Sequence, residues 1–235
     1  MPSRNQFASS IVAISLAVAG CSSNNDGGSG VRGLSQGEAD EMNAGRSKFD
    51  QPGDPAFTAD TRFAAGQLAE SQGAPVGAVE QYREALKIDP KHQPSLYRLG
   101  MIYTQQKAYP QAIETWRRYL TVTNNSPNAY SNLGFCYELA GKPAEAEATY
   151  KAGIARDPKS QPCRVNYGLM LARTGRVPEA RVQLETVLKP AEAAYNIASV
   201  METMGRKDQA REEFVRALKL DPNFQQAQVR LSALN

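Results

Sequence analysis

Histidine is almost missing from this chain: among 235 residues there is one, His92, with three cysteines and one tryptophan. A lone histidine in a short linker after Pro90 makes neither a catalytic triad nor a metal site of the usual kind. No Gly-rich phosphate loop occurs, and no cluster of carboxylates stands apart from ordinary solvated helix faces. The formal net charge of +3 is small and mixed in sign, which argues against nucleic acid or an anionic membrane face as a partner. No apolar run reaches 18 residues, so no ordinary transmembrane helix is expected. These absences point away from an enzyme. No cofactor, no metal and no small-molecule substrate are expected.

What the chain does have is a recurring stretch, clearest over Pro127–Ser160. Tyr130, Leu133, Gly134 and Tyr137 share one face of a 3.6-residue period. Gly141-Lys142-Pro143 then stops that helix, and a second one places Ala146, Tyr150 and Gly153 on one face before Asp157-Pro158. Gly134 and Ala146 are small where the two helices approach, and tyrosines fill the space beside them. Such a hairpin cannot bury its apolar face alone, so it should repeat. It does. Ala78, Ala112, Ala146, Ala180 and Ala210 are spaced by 34, 34, 34 and 30 residues. Gly66, Gly100, Gly134, Gly168 and Ala198 form a second series. Tyr82, Trp116, Tyr150, Leu184 and Phe214 form a third.

A period of about 34 with Leu-Gly, Tyr, Ala, aromatic and Pro in this order resembles the tetratricopeptide-repeat (TPR) family, from about Ala59 to the C-terminus. The resemblance implies an all-α, right-handed α-solenoid of about five helix-turn-helix repeats. They span 59–92, 93–126, 127–160, a short 161–190 and 191–222, with a capping helix over 223–235. Repeat two lacks the terminal Asp-Pro and has Thr123-Asn124-Asn125-Ser126 instead, a turn of another type.

Residues 1–20 have the layout of an export signal: Arg4, an apolar run, then Val18-Ala19-Gly20-Cys21. The last four are similar to the lipobox of bacterial lipoproteins, which implies lipidation at Cys21; an ordinary secretory signal with an incidental cysteine is the alternative. Ser22 after the cysteine implies outer-membrane retention, facing the periplasm. Residues 21–58 read as a flexible tether, with a short helix from the capping-box spacing at Ser35–Glu38 or plain disorder. Cys136 and Cys163 fall on neighbouring first helices but about seven positions out of step, roughly 10 Å along the axis. That exceeds the ~7 Å limit for a disulfide, so two buried thiols are expected.

In the TPR family the first helix of each repeat lines the concave side. The residues three before and one after each Gly should face it: Phe63 and Gln67, Tyr97 and Met101, Ser131 and Phe135, Val165 and Leu169, Tyr195 and Ser199. This apolar stripe is a candidate interaction site, unless the tether, neighbouring repeats or curvature cover it. Two residues before each Gly stand Ala64, Arg98, Asn132, Asn166 and Asn196. Three successive asparagines resemble the amide ladder of TPR proteins that bind extended peptides, such as the repeats of O-GlcNAc transferase. An amide matches the N–H and C=O of a peptide backbone, but the same amides can serve the hairpin itself. The basic residues of the chaperone carboxylate clamp are absent: Phe63, Tyr97 and Ser131 stand there. The reading is a non-enzymatic adaptor, lipid-anchored in the bacterial envelope, with a protein or peptide partner in the groove. By architecture it looks like the pilotin-type lipoproteins of type IV or tight-adherence pili. The alternatives are a self-associating scaffold and a regulatory module for a cell-wall enzyme.

Overall fold

A computed structural model describes residues 58–234. Eleven helices and no strand occur among these residues. The expected signal, Cys21 and the tether to residue 57 lie outside them.

The helices pair into hairpins: α1 (Ala59–Ser71) with α2 (Pro75–Ile88), α3 (Gln93–Gln105) with α4 (Tyr109–Val122), and α5 (Pro127–Leu139) with α6 (Pro143–Arg156). Then come α7 (Gln161–Arg173) with α8 (Val177–Glu185), and α9 (Pro190–Thr203) with α10 (Lys207–Leu220); α11 (Gln225–Ala233) packs on α10. Each hairpin packs on the next, so one apolar core runs through the stack. This is the all-α repeat architecture that the TPR resemblance implies.

Local chemistry explains the boundaries. Proline opens most of the helices at their first or second position, where its missing N–H costs nothing. Ser126 and Ser160 cap α5 and α7 by accepting from the Ala129 and Cys163 N–H groups. After α2, α6 and α10 the side chains of Asp89, Asp157 and Asp221 accept from the N–H two residues on, at 2.9, 2.9 and 3.0 Å. That bond turns the chain into the next hairpin. Repeat two takes another route: Asn124 and Asn125 are both left-handed, at φ 51° and 57°. Asparagine tolerates this where most residues do not.

The three residue series meet inside each hairpin. The five alanines of the first series are all fully buried. A Cβ at Gly66, Gly100 or Gly134 would fall 2.4, 2.6 or 2.6 Å from the ring of Tyr82, Trp116 or Tyr150. The glycine is therefore the socket for the aromatic of its partner helix. Repeat four is short because α8 has nine residues where α6 has fourteen. The chain then turns on Leu184, whose carbonyl accepts from both Val187 and Leu188.

The turn inside each hairpin needs one left-handed residue, supplied by Gly73, Gly141, Gly175 and Gly205 at φ 72°, 71°, 82° and 72°. Lys107 holds the same place in repeat two at φ 58°. A side chain there costs about 1–2 kcal/mol, against the ~0.4–1 kcal/mol that glycine loses through the unfolded chain. Lys107→Gly is expected to stabilise by about 0.5–1 kcal/mol, read as a higher urea midpoint.

Repeats three and four are also joined through Glu147. Glu147 accepts from Tyr167 at 2.7 Å and pairs with Arg176 at 2.8 Å and Lys151 at 2.7 Å. The Arg176 guanidinium first, then Lys151 and Tyr167, hold this carboxyl down at about 2. A depressed folded value means that the stabilisation is present above the ordinary 4.5 and is lost as the pH falls through about 2. The stability gap between the native chain and Glu147→Gln should be flat from neutral pH to about 5 and narrow steadily below 4.5. A gap independent of pH would remove Glu147 from this role.

Candidate interaction groove

The first helices of the repeats, α1, α3, α5, α7 and α9, carry the residues the repeat pattern assigns to one face. Most of the expected apolar stripe is half-buried against the core: Phe63, Tyr97, Met101, Val165, Leu169 and Tyr195. The rings are locked by stacking. Tyr97 lies edge-on to Trp116 at 5.6 Å and beside Tyr119 at 5.7 Å, and Phe63 sits 5.4 Å from Tyr82. Tyr195 is wedged between Phe214 at 5.6 Å and Phe224 at 5.1 Å. Phe63, Tyr97 and Tyr119, with Pro94, Gln93 and Arg98, wall a shallow depression of about 390 Å³.

Phe135 stands clear of this packing, 39% exposed, and so does Leu139, 42% exposed. Leu139 falls one helical turn after Phe135, so a 3.6-residue reading of α5 finds it once the search extends past the residues adjoining the glycine. Ser131 departs from expectation. It is buried, donating to the Pro162 carbonyl at 3.1 Å and accepting from the Asn166 amide at 2.8 Å. Its small side chain lets α5 and α7 approach, so it joins helices and does not face outward.

The asparagines divide. Asn166 gives its N–H to Ser131, and Asn196 gives its own to the Glu192 carbonyl at 2.8 Å, within α9. Asn132 is half-exposed, and no hydrogen bond of its side chain occurs among the described residues. Arg98 does not stand free: it pairs with Glu70 across α1 and α3. The same bridge recurs between Arg173 and Glu138, and between Arg230 and Glu202 at 2.5 Å. Burial pushes the Glu138 carboxyl up, and the Arg173 guanidinium works against that.

His92 proves less isolated than its scarcity suggests. Its Nδ1 and Nε2 lie 2.8 Å from Ser95 Oγ and 3.0 Å from Asp60 Oδ1. These are the residue types of a hydrolytic triad, but Ser95 is fully buried, so no substrate carbonyl can reach it. The chain of bonds ties α1 to the start of α3. Cys136 and Cys163 are free and buried as expected. Burial raises both thiols above the ordinary cysteine value, which keeps them inert. Among the described residues no group of side chains could hold a metal ion, and no helix is long and apolar enough to cross a membrane.

Three tetratricopeptide-repeat models match residues 100–141, 137–197 and 191–224, contiguously over more than half of the chain. The chain belongs to the TPR family. Its repeats share the fold of YrrB, described as a TPR protein with an unusual peptide-binding site. That match has 21% identity and a TM-score of 0.51, over 73% of this chain and 91% of that one. They share it also with PilW, a type IV pilus biogenesis factor, at 22% identity and a TM-score of 0.54, over 69% and 77% of the two chains. The photosystem I assembly protein Ycf3 of Synechococcus sp. (strain CC9605) is 34% identical over 83 residues, 34% of this chain and 48% of that protein. This chain spans at most about half the length of the curated relatives it matches. TPR proteins act as protein-interaction scaffolds.

Proposed function

We propose that this TPR chain is a non-enzymatic adaptor, anchored through lipid on Cys21 in the bacterial envelope, that holds a segment of an envelope-assembly protein against its first-helix face. The observation that carries the reading is the open face of α5. There Phe135 and Leu139 are 39% and 42% exposed beside the half-exposed Asn132, whereas Met101 and Leu169, the apolar residues at the place of Phe135 in repeats two and four, are half-buried. The anchor rests on Val18-Ala19-Gly20-Cys21 behind an apolar leader, and Ser22 favours the outer membrane, facing the periplasm. Assembly machinery is the proposed partner class because Ycf3 and PilW are both named for assembly roles; a pilus or secretion component is the narrower choice.

The test is photo-crosslinking in cells from positions 97 and 135, followed by mass spectrometry. A pilus or secretin component supports the full reading. A different envelope protein keeps the adaptor and discards the pilus. Capture of another copy of this chain alone overturns the adaptor in favour of a scaffold. In parallel, Cys21→Ser should move the protein out of the membrane fraction.

A further inference from the structure

Among the described residues, every helix that opens a repeat is covered by the repeat before it except the first. Thr61, Ala65 and Leu68 share one face of α1, and all three are exposed, Leu68 at 58%. At the place of Leu68 the later repeats have Ile102, Cys136, Met170 and Val200, none more than 8% exposed. The counterparts of Ala65, from Leu99 to Ile197, reach at most 5%, and those of Thr61 are fully buried. Their cover is the second helix of the preceding repeat: α2 on α3, α4 on α5, α6 on α7 and α8 on α9. The far end of the stack carries α11, with Gln225, Gln226 and Gln228 exposed. A solenoid needs such a polar face where it ends. The α1 end presents alanine and leucine instead.

The missing cover is a helix, and the sequence ahead of α1 has the pattern of one. Ser35 and Glu38 have the capping-box spacing, with Leu34 and Ala39 placed as its hydrophobic staple. Pro52 stops a helix just before it. Residues 36–49 match the 14-residue length of α2, α4, α6 and α10. Met42, Gly45 and Phe49 recur there at i, i+3 and i+7, an apolar stripe with a gap at its middle. That gap suits Leu68, the large side chain of the open face. Residues 50–58 then lead to α1, a reach of roughly 15–18 Å against the ~8–10 Å between packed helix axes. So short a linker gives an effective concentration on the order of millimolar, ahead of a partner in trans. We infer that residues 36–49 form a helix that docks on the Thr61–Leu68 face of α1, completing the stack as a half-repeat. Met42 and Phe49 then flank Leu68. With the anchor proposed at Cys21, docking leaves residues 22–35 as free tether, a reach of roughly 19–22 Å where 22–58 would give about 30–36 Å. The stack is thereby held close to its membrane. This last consequence rests on the anchor reading; the docking does not.

Amide hydrogen exchange read by mass spectrometry tests the docking on the full chain carrying Cys21→Ser, alone and with Leu68→Asp, Met42→Asp or Lys48→Ala. Leu68 is exposed, so Leu68→Asp leaves the repeats folded, and Trp116 emission checks this. The expected result is slow exchange over 36–49, accelerated at least tenfold by Leu68→Asp and by Met42→Asp and unchanged by Lys48→Ala, with α3–α10 unaffected. The decisive variant is Leu68→Asp, because it lies outside the segment whose protection it removes. Protection indifferent to Leu68→Asp, or none in the parent chain, overturns the inference. So does protection lost on dilution from about 50 to 1 μM with light scattering showing a dimer, which would assign the face to a second copy. Photo-crosslinking from positions 97 and 135 reads α3 and α5, so the adaptor stands or falls separately.

Discussion

Gly153→Ala is expected to destabilise the chain by about 2 kcal/mol, although it improves helix propensity in α6. Alanine in a helix interior gains about 0.5–1 kcal/mol over glycine. Against this, the new methyl would lie 2.4 Å from Cys163 Sγ and 2.8 Å from Tyr130 Cβ. Tyr130 Cβ is fixed to the backbone of α5, so relief requires a helix to shift. Overpacking of this kind costs about 1–3 kcal/mol, and contacts this short, on two sides, belong at the upper end. Ala85 and Ala217 occupy the same place in repeats one and five and are fully buried. The position thus accepts a methyl where the residue ten further on is Ser95 or Ala227 in place of Cys163. Cys163→Ala should accordingly recover part of the loss, giving a coupling of about 0.5–1 kcal/mol in a double-mutant cycle. Thermal unfolding followed by far-ultraviolet circular dichroism measures it. A Gly153→Ala midpoint at or above that of the native chain would show that α5 and α7 yield freely at this junction.

Trp116→Ala carries the largest expected cost, about 3–5 kcal/mol. The indole is 1% exposed, fills the socket made by Gly100, and is flanked edge-on by Tyr97 and Tyr119 at 5.6 Å each. Its Nε1–H donates to Thr104 Oγ1 at 3.1 Å. That hydroxyl also donates to the Gly100 carbonyl at 2.7 Å, so removing the indole strands no polar group. The loss is one of volume and contact. Because Tyr97 leans on the indole, the depression beside Phe63 should lose its wall as well. Ligand capture from position 97 should fall while capture from position 135 persists. A midpoint drop of only a degree or two would mean that Tyr97 and Tyr119 collapse into the space, the one route by which a cavity becomes inexpensive.

The hairpins were legible in the sequence because they depend on residues near one another in the chain. The Gly141-Lys142-Pro143 stop, the Ala146 register and the Gly134–Tyr150 contact all lie within one repeat. Each reflects a local rule of turn chemistry or close packing. The face was less legible because its character is decided between repeats. Ser131 is buried by Pro162 and Asn166, and Arg98 is claimed by Glu70. Arg173 reaches Glu138 from five residues after its own glycine, whereas Arg98 reaches Glu70 from two before. One ion-pair geometry is thus produced by two different register positions, which a 34-residue comparison cannot align. Leu139 was visible in principle, since it follows Phe135 by one turn of the same helix.

The solitary indole also makes this chain optically simple. Every other repeat has Tyr, Leu or Phe where repeat two has Trp116, so the red edge of the intrinsic emission arises from a single address in the stack. The neighbouring rings of Tyr97 and Tyr119 are close enough to feed it their excitation. A buried, hydrogen-bonded indole emits to the blue and shifts when water arrives. Emission therefore clocks the opening of repeat two alone, while ellipticity averages over every helix of the stack. Superimposed curves would identify one cooperative block; divergent ones would show the stack coming apart repeat by repeat.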